Sequence, residues 1–110
     1  MERSIYESIY PEDSRQYRAL AKRYMDLKPE NYGEAFDVMK MAWALAQRWS
    51  DIASNVEIVA TEKGVKKTDL KEWCYQRYRQ MQLIHESSRM LWGMGEREAR
   101  ELNLIDRKRG

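Results

Sequence analysis

The chain holds one thiol, Cys74, and one imidazole, His85. A cysteine nucleophile needs a base within hydrogen-bond reach. Eleven residues of helix put these two on one face but roughly 16 Å apart along the axis, too far for a thiolate and its base. Glu86 follows His85 and points about 100° away from it on a helix. A two-histidine zinc site needs its second imidazole four residues on, and position 89 is Arg. A single cysteine leaves neither a C-x-x-C zinc spacing nor an internal disulfide, so a buried thiol is expected. "KGVKKT" at 63–68 lacks the first glycine and the spacing of a nucleotide-binding loop. The sequence predicts no catalytic residue, no metal ligand and no cofactor, with His85 a helix-packing or surface residue.

What remains is binding chemistry. Residues 1–61 carry eight Lys or Arg against ten Asp or Glu, whereas residues 62–110 carry twelve against eight. The densest basic spots are Lys63, Lys66 and Lys67, and the tail with Arg107, Lys108 and Arg109. Such clusters pair with phosphates, although a basic turn and tail also serve solubility. Tyr75, Tyr78 and Arg79 interleave aromatic and cationic groups, which can stack on nucleic acid or flank a core. Trp43, Trp49, Trp73 and Trp92 sit at helical core spacing, where packing is the commoner use of tryptophan.

These groups need elements to position them. "SIYESIY" pairs Ile5 with Ile9 and Tyr6 with Tyr10 one turn apart, before Pro11, and reads as an arm that docks elsewhere. "PEDSRQYRALAKRYMDL" predicts a helix over about 12–27, with Tyr17, Leu20, Ala21 and Tyr24 on one face. Lys28 before Pro29 favours an extended residue, and Pro29 opens the next helix. Ala35, Val38, Ala42, Leu45, Trp49, Ile52, Val56 and Val59 then alternate steps of three and four, predicting one helix over about 30–61 packed along its length. Phe36, Met39, Trp43, Ala46 and Ala53 widen the stripe, so more than one neighbour is expected.

Gly64 suits a left-handed turn, with Thr68 or Asp69 capping the following helix. That helix carries Leu70, Trp73, Cys74, Arg77, Tyr78, Met81, Ile84, His85, Ser88, Leu91 and Trp92, and is expected to end near 92. "GMG" at 93–95 permits a bend before a short helix with Ala99, Leu102 and Leu104. The fold class is thus all-α in one domain: an N-terminal arm and helix (1–28), a long antiparallel helical hairpin (29–92), and a hinge, short helix and basic tail (93–110). The longest apolar run is "MAWALA" at 41–46, so neither a membrane span nor a signal peptide fits and an intracellular protein is expected.

The layout resembles a known family. "LKPENYGEAFDVMKMAWALAQRW", then a Gly-containing basic turn, then "KEWCYQRYRQMQLIHESSRMLWGMGEREAREL", is similar to the small subunit of tailed-bacteriophage terminases. One branch of that family ends in a long helix, a glycine and a small segment closing on Arg, and here Gly95, Glu96 and Arg100 stand in a comparable region. The resemblance spans about residues 27–104. It implies a non-catalytic, ring-forming factor that recognises viral DNA in the host cytoplasm and hands it to the large terminase subunit.

On this reading Lys63, Lys66, Lys67 and Arg79 contact double-stranded DNA. Trp43, Trp49, Ile52, Val56, Trp73 and Met81 serve homo-oligomerisation. Arg97, Arg100, Leu102, Leu104, Arg107, Lys108 and Arg109 serve the protein partner. No helix-turn-helix reader is evident, so DNA contact would be directed mainly at the backbone. The alternative is a phage- or plasmid-encoded adaptor that covers another protein's surface without touching DNA. A small helical enzyme would need several inward Arg and Glu residues, and Arg77 alone lies on the inner stripe.

Overall fold

The computed structural model describes residues 5–28 and 30–101, the side chains of 95–101 excepted. Within these residues the chain is all-α, with no strand. The helices are α1 (Ile5–Ile9), α2 (Pro11–Met25), α3 (Tyr32–Ser54), α4 (Val56–Lys63) and α5 (Lys67–Glu101). The molecule is elongated, 63 × 28 × 16 Å.

The three-and-four periodicity of α3 becomes the core. Ala35, Val38, Ala42, Ala46, Trp49, Ile52 and Ala53 are buried on it, continued by Val56 and Ala60 of α4. Leu45 and Val59, expected at the centre of the stripe, are only partly buried. The alanines are small enough to let α5 lie close, and α5 answers with buried Leu70, Trp73, Cys74, Met81, Ile84 and Ser88. Ring contacts fix the order of packing: Trp49 meets Trp73 at 5.6 Å, Trp43 meets His85 at 5.2 Å, and Phe36 meets Trp92 at 5.1 Å. Early residues of α3 therefore meet late residues of α5.

The second neighbour that the wide stripe demanded is α2, together with the arm α1. Leu20 of α2 is buried in the same core, with Tyr17, Ala21 and Tyr24 packed against it. Tyr10 lies 6.1 Å from Trp49 and 6.5 Å from Trp73, Tyr6 lies 5.8 Å from Trp73, and Tyr17 lies 6.4 Å from Trp49. Trp49 is thus the hub of an aromatic cluster drawn from four helices. Arg77 closes one side, its guanidinium 4.0 Å over the Trp73 ring and 5.5 Å from Tyr17. Ion pairs tie the periphery: Arg48 grips both carboxylate oxygens of Asp13, Arg23 pairs with Glu34, and Arg18 pairs with Glu7.

The structure differs from the sequence reading at both long helices. The helix expected over 30–61 is divided at Asn55, whose backbone leaves helical geometry at φ −121° and ψ 25°. The cause is local. The Ser54 hydroxyl donates to the Ser50 carbonyl at 3.0 Å and the Asn55 amide to the Asp51 carbonyl at 2.8 Å, so side chains compete for the helical acceptors. Conversely, α5 neither stops at 92 nor bends at "GMG"; it runs unbroken through Gly93 and Gly95 to Glu101. Glycine weakens a helix by only about 1 kcal/mol relative to Ala, and the strong helix formers around the pair outweigh that. The separate short C-terminal helix is therefore replaced, as far as Glu101, by the last turns of α5. Pro29 lies outside the described residues.

Gly64 ends α4 as expected, in the left-handed region at φ 69° and ψ 32°. The Val65 N–H donates to the Ala60 carbonyl at 3.1 Å, which closes the helix end. The next helix begins at Lys67, so Thr68 and Asp69 fall in its first turn and not at its cap. Gly64→Ala should lower stability by about 1–2 kcal/mol, the usual cost of placing a Cβ in this conformation. Urea denaturation of the two proteins measures the difference, and an unchanged midpoint would mean that the turn relaxes to another conformation.

Candidate interaction surfaces

Cys74 is fully buried, and burial pushes its thiol up to about 12, which leaves it protonated and unreactive at neutral pH. His85 packs against Trp43 near Met39 and Lys40. Among the described residues no group of three His, Cys, Asp or Glu is placed to hold a metal ion. No described helix is long and apolar enough to cross a membrane. Three surfaces stand out among the described residues.

The first is the basic turn. Lys63 closes α4, Lys66 follows Gly64, and Lys67 opens α5, so α4, the turn and α5 bring the three together. Acids accompany them. Lys67 pairs with Glu57 at 3.3 Å, and within residues 57–72 Glu57, Glu62, Asp69 and Glu72 offset Lys63, Lys66, Lys67 and Lys71. Arg79, expected to join this set, stands twelve residues along α5 from Lys67, about 18 Å at helical rise. There it lies 4.9 Å from the Tyr75 ring centroid and 3.5 Å from Glu72. The Tyr75 and Tyr78 rings stack at 5.3 Å, so their interleaving with Arg79 is an intrahelical stack.

The second surface is an aromatic strip shared by α3 and α5. It carries Phe36 and Trp92, Trp43 and His85, and Met39, with Lys40 over the Phe36 ring at 4.7 Å. Trp43 is 52% exposed. Of the residues expected to drive oligomerisation, it alone has surface to offer. Trp49, Ile52, Val56, Trp73 and Met81 are 0–8% exposed, consumed by the chain's own core. That is a correction, and its reason is geometric. Six residues separate Trp43 from Trp49, about 120° around the helix, so one turns inward to α1, α2 and α5 while the other turns out.

The third surface was not read from the sequence. Gln76, Gln80, Leu83, Ser87, Met90 and Met94 follow one another at steps of four, three, four, three and four along α5. The stripe is uncharged along its length, residues 76–94, in a chain that is 35% charged. Leu83, Met90 and Met94 are 59%, 61% and 53% exposed. It is a second seam on the same helix, and its signal was present: a repeat of charge absence, masked by the stronger apolar stripe beside it. At the junction of α2 and α3, Ala19, Leu20, Met41, Ala44 and Leu45, with Gln16 and Arg23, line an open groove of about 310 Å³.

Arg97 and Arg100 lie on the α5 backbone, with side chains outside the description. Leu102, Leu104, Arg107, Lys108 and Arg109 lie outside the described residues. No protein-family model, curated protein or solved structure matches this chain.

Proposed function

We propose that this chain is a non-catalytic assembly protein, the small subunit of a tailed-bacteriophage terminase. It works in the host cytoplasm as a homo-oligomer and presents double-stranded DNA to the large terminase subunit. In this reading α3 with α4, and α5, are the arms of a long antiparallel helical hairpin braced by α1 and α2. The basic turn with Lys63, Lys66 and Lys67 meets phosphates. The segment 96–110 docks on the large subunit, with Leu102 and Leu104 as apolar anchors and Arg97, Arg100, Arg107, Lys108 and Arg109 around them.

The observation that carries the reading is surplus apolar surface. The core is complete within one chain, yet Met41, Trp43, Leu83, Met90 and Met94 remain 44–61% exposed on α3 and α5. Large apolar groups gathered on two helices mark contact with other chains. The resemblance in order and pattern to small terminase subunits supplies the role.

Light scattering together with a salt titration of DNA affinity tests it. The intact protein should be an oligomer whose affinity for duplex DNA falls steeply with salt. Lys63→Ala, Lys66→Ala and Lys67→Ala combined should weaken binding and lower the slope of log affinity against log salt by up to about 2.7, at roughly 0.9 per phosphate contact. An assembled protein that binds no DNA at low salt would overturn the DNA role.

A second reading rests on the four acids that offset the lysines of the turn and on the exposed Trp43 strip. It makes the chain a helical adaptor or inhibitor that covers another protein without DNA contact. A monomer indifferent to DNA would select it.

A further inference from the structure

We infer that α1 is a strap that opens about the Tyr10–Pro11 joint while α2 to α5 stay folded, and that its opening uncovers the Trp73–Cys74 side of α5. The device belongs to the fold of the single chain and stands whether or not copies assemble.

Length makes the strap weak on its own. α1 has five residues, none of them buried, and Ile5 is 63% exposed. A helix so short is not stable in water by itself, so it keeps its shape only while docked. Its joint to α2 suits opening. Tyr10 leaves helical geometry at φ −125° and ψ 66°, and Pro11 has no N–H to return to the α1 carbonyls. The Tyr10 N–H donates back to the Tyr6 carbonyl at 3.4 Å, a long and weak bond.

Docked, the strap is held by rings. Tyr6 lies 5.8 Å from Trp73, and Tyr10 lies 6.5 Å from Trp73 with the ring planes 13° apart. Arg18 of α2 pairs with Glu7. Cys74 follows Trp73 on α5 and is fully buried, and the Tyr10 hydroxyl stands close enough that it and the thiol act on each other's ionisation. The closed arrangement carries a cost of its own. Tyr10 Oη is buried beside a thiol, a weak hydrogen-bonding group, and has no stronger partner among the described residues. Water would satisfy it once the strap opens. A short helix without buried residues, a weak joint and an under-satisfied hydroxyl mark a segment that opens at lower free energy than the whole fold.

Cys74 is the chain's single cysteine, so its reactivity reports the opening directly. With dithiobis(nitrobenzoate) as the probe, the Cys74 thiolate attacks the reagent's disulfide, forms a mixed disulfide and releases one thionitrobenzoate, whose absorbance gives the rate. In the intact protein, labelling should be slower than in the urea-unfolded chain, yet nearly independent of urea below the unfolding transition. Tyr6→Ala, which removes the ring on Trp73, should speed labelling roughly tenfold. Ile84→Val, buried elsewhere along α5, should lower the urea midpoint while leaving the labelling rate within about twofold, because its contacts survive opening of the strap. Circular dichroism checks that both variants fold. Labelling that rises with urea as steeply as global unfolding, or that Ile84→Val speeds as much as Tyr6→Ala does, would mean that Cys74 is reached only by unfolding the whole chain, and would overturn the strap. A rate that Tyr6→Ala leaves unchanged would overturn it too, since something other than α1 would then cover the thiol.

Discussion

Trp49→Ala should lower the unfolding free energy by about 3–5 kcal/mol, the range for removing a buried large aromatic. Trp49 is fully buried and contacts the rings of Tyr10, Tyr17 and Trp73. Its loss therefore removes the apolar area of one side chain, three edge-on ring contacts and the surface on which Tyr10 and Tyr17 rest. A domain of this size is stable by about 5–15 kcal/mol, so about a fifth or more of the total disappears. The melting temperature should fall by roughly 12 °C or more. Trp49→Phe should recover most of the loss, because the indole Nε1 has no hydrogen-bond partner among the described residues. Trp43→Ala is the matched control: at 52% exposure its removal should leave the melt almost unchanged. Equal effects at the two positions would contradict the core as described.

Alkaline pH should destabilise the fold in two stages. Burial pushes the Cys74 thiol from 9.0 up to about 12. Burial, with Cys74 and Asp13 adding to it, pushes the Tyr10 hydroxyl from 10.0 up to about 12. Above pH 9 the unfolded chain releases the Cys74 proton while the folded chain keeps it, so the unfolded state binds fewer protons and stability falls as pH rises. The loss is about 1.4 kcal/mol per pH unit for one group, and about twice that above pH 10, where Tyr10 joins. Both contributions level off near pH 12. Urea midpoints at pH 8, 9, 10 and 11 measure the slope. Cys74→Ala should flatten the stage that begins at pH 9, and Tyr10→Phe the stage that begins at pH 10. If both variants track the intact protein, these groups are not the source of the alkaline limb.

Much of the fold was legible along the chain. Of the steps of three and four through Ala35, Val38, Ala42, Leu45, Trp49, Ile52, Val56 and Val59, all but Leu45 and Val59 are buried and those two are partly buried, so the stripe marks the inward face on both sides of the break at Asn55. Gly64 was legible because a left-handed turn excludes most other residues at little local ambiguity. The break at Asn55 was written more faintly, in the polar run of Ser50, Asp51, Ser54 and Asn55, whose side chains reach the carbonyls behind them. The glycines at 93 and 95 misled because glycine permits a bend without requiring one. The tail residues 102–110 carry part of the expected docking site and lie outside the described residues.

The site divides along the same line. Sequence by itself determined the periodic faces, the turn and the clustering of Lys63, Lys66 and Lys67, because each depends on neighbours within a turn or two of chain. Tertiary structure decided which tryptophan is core and which is surface. It exposed the seam of Leu83, Met90 and Met94 while hollowing the groove at Met41 and Ala44. Those outcomes depend on where α1 and α2 settle across α3 and α5. One helix can bear several apolar stripes, and only the positions of its neighbours determine which of them is withdrawn from water.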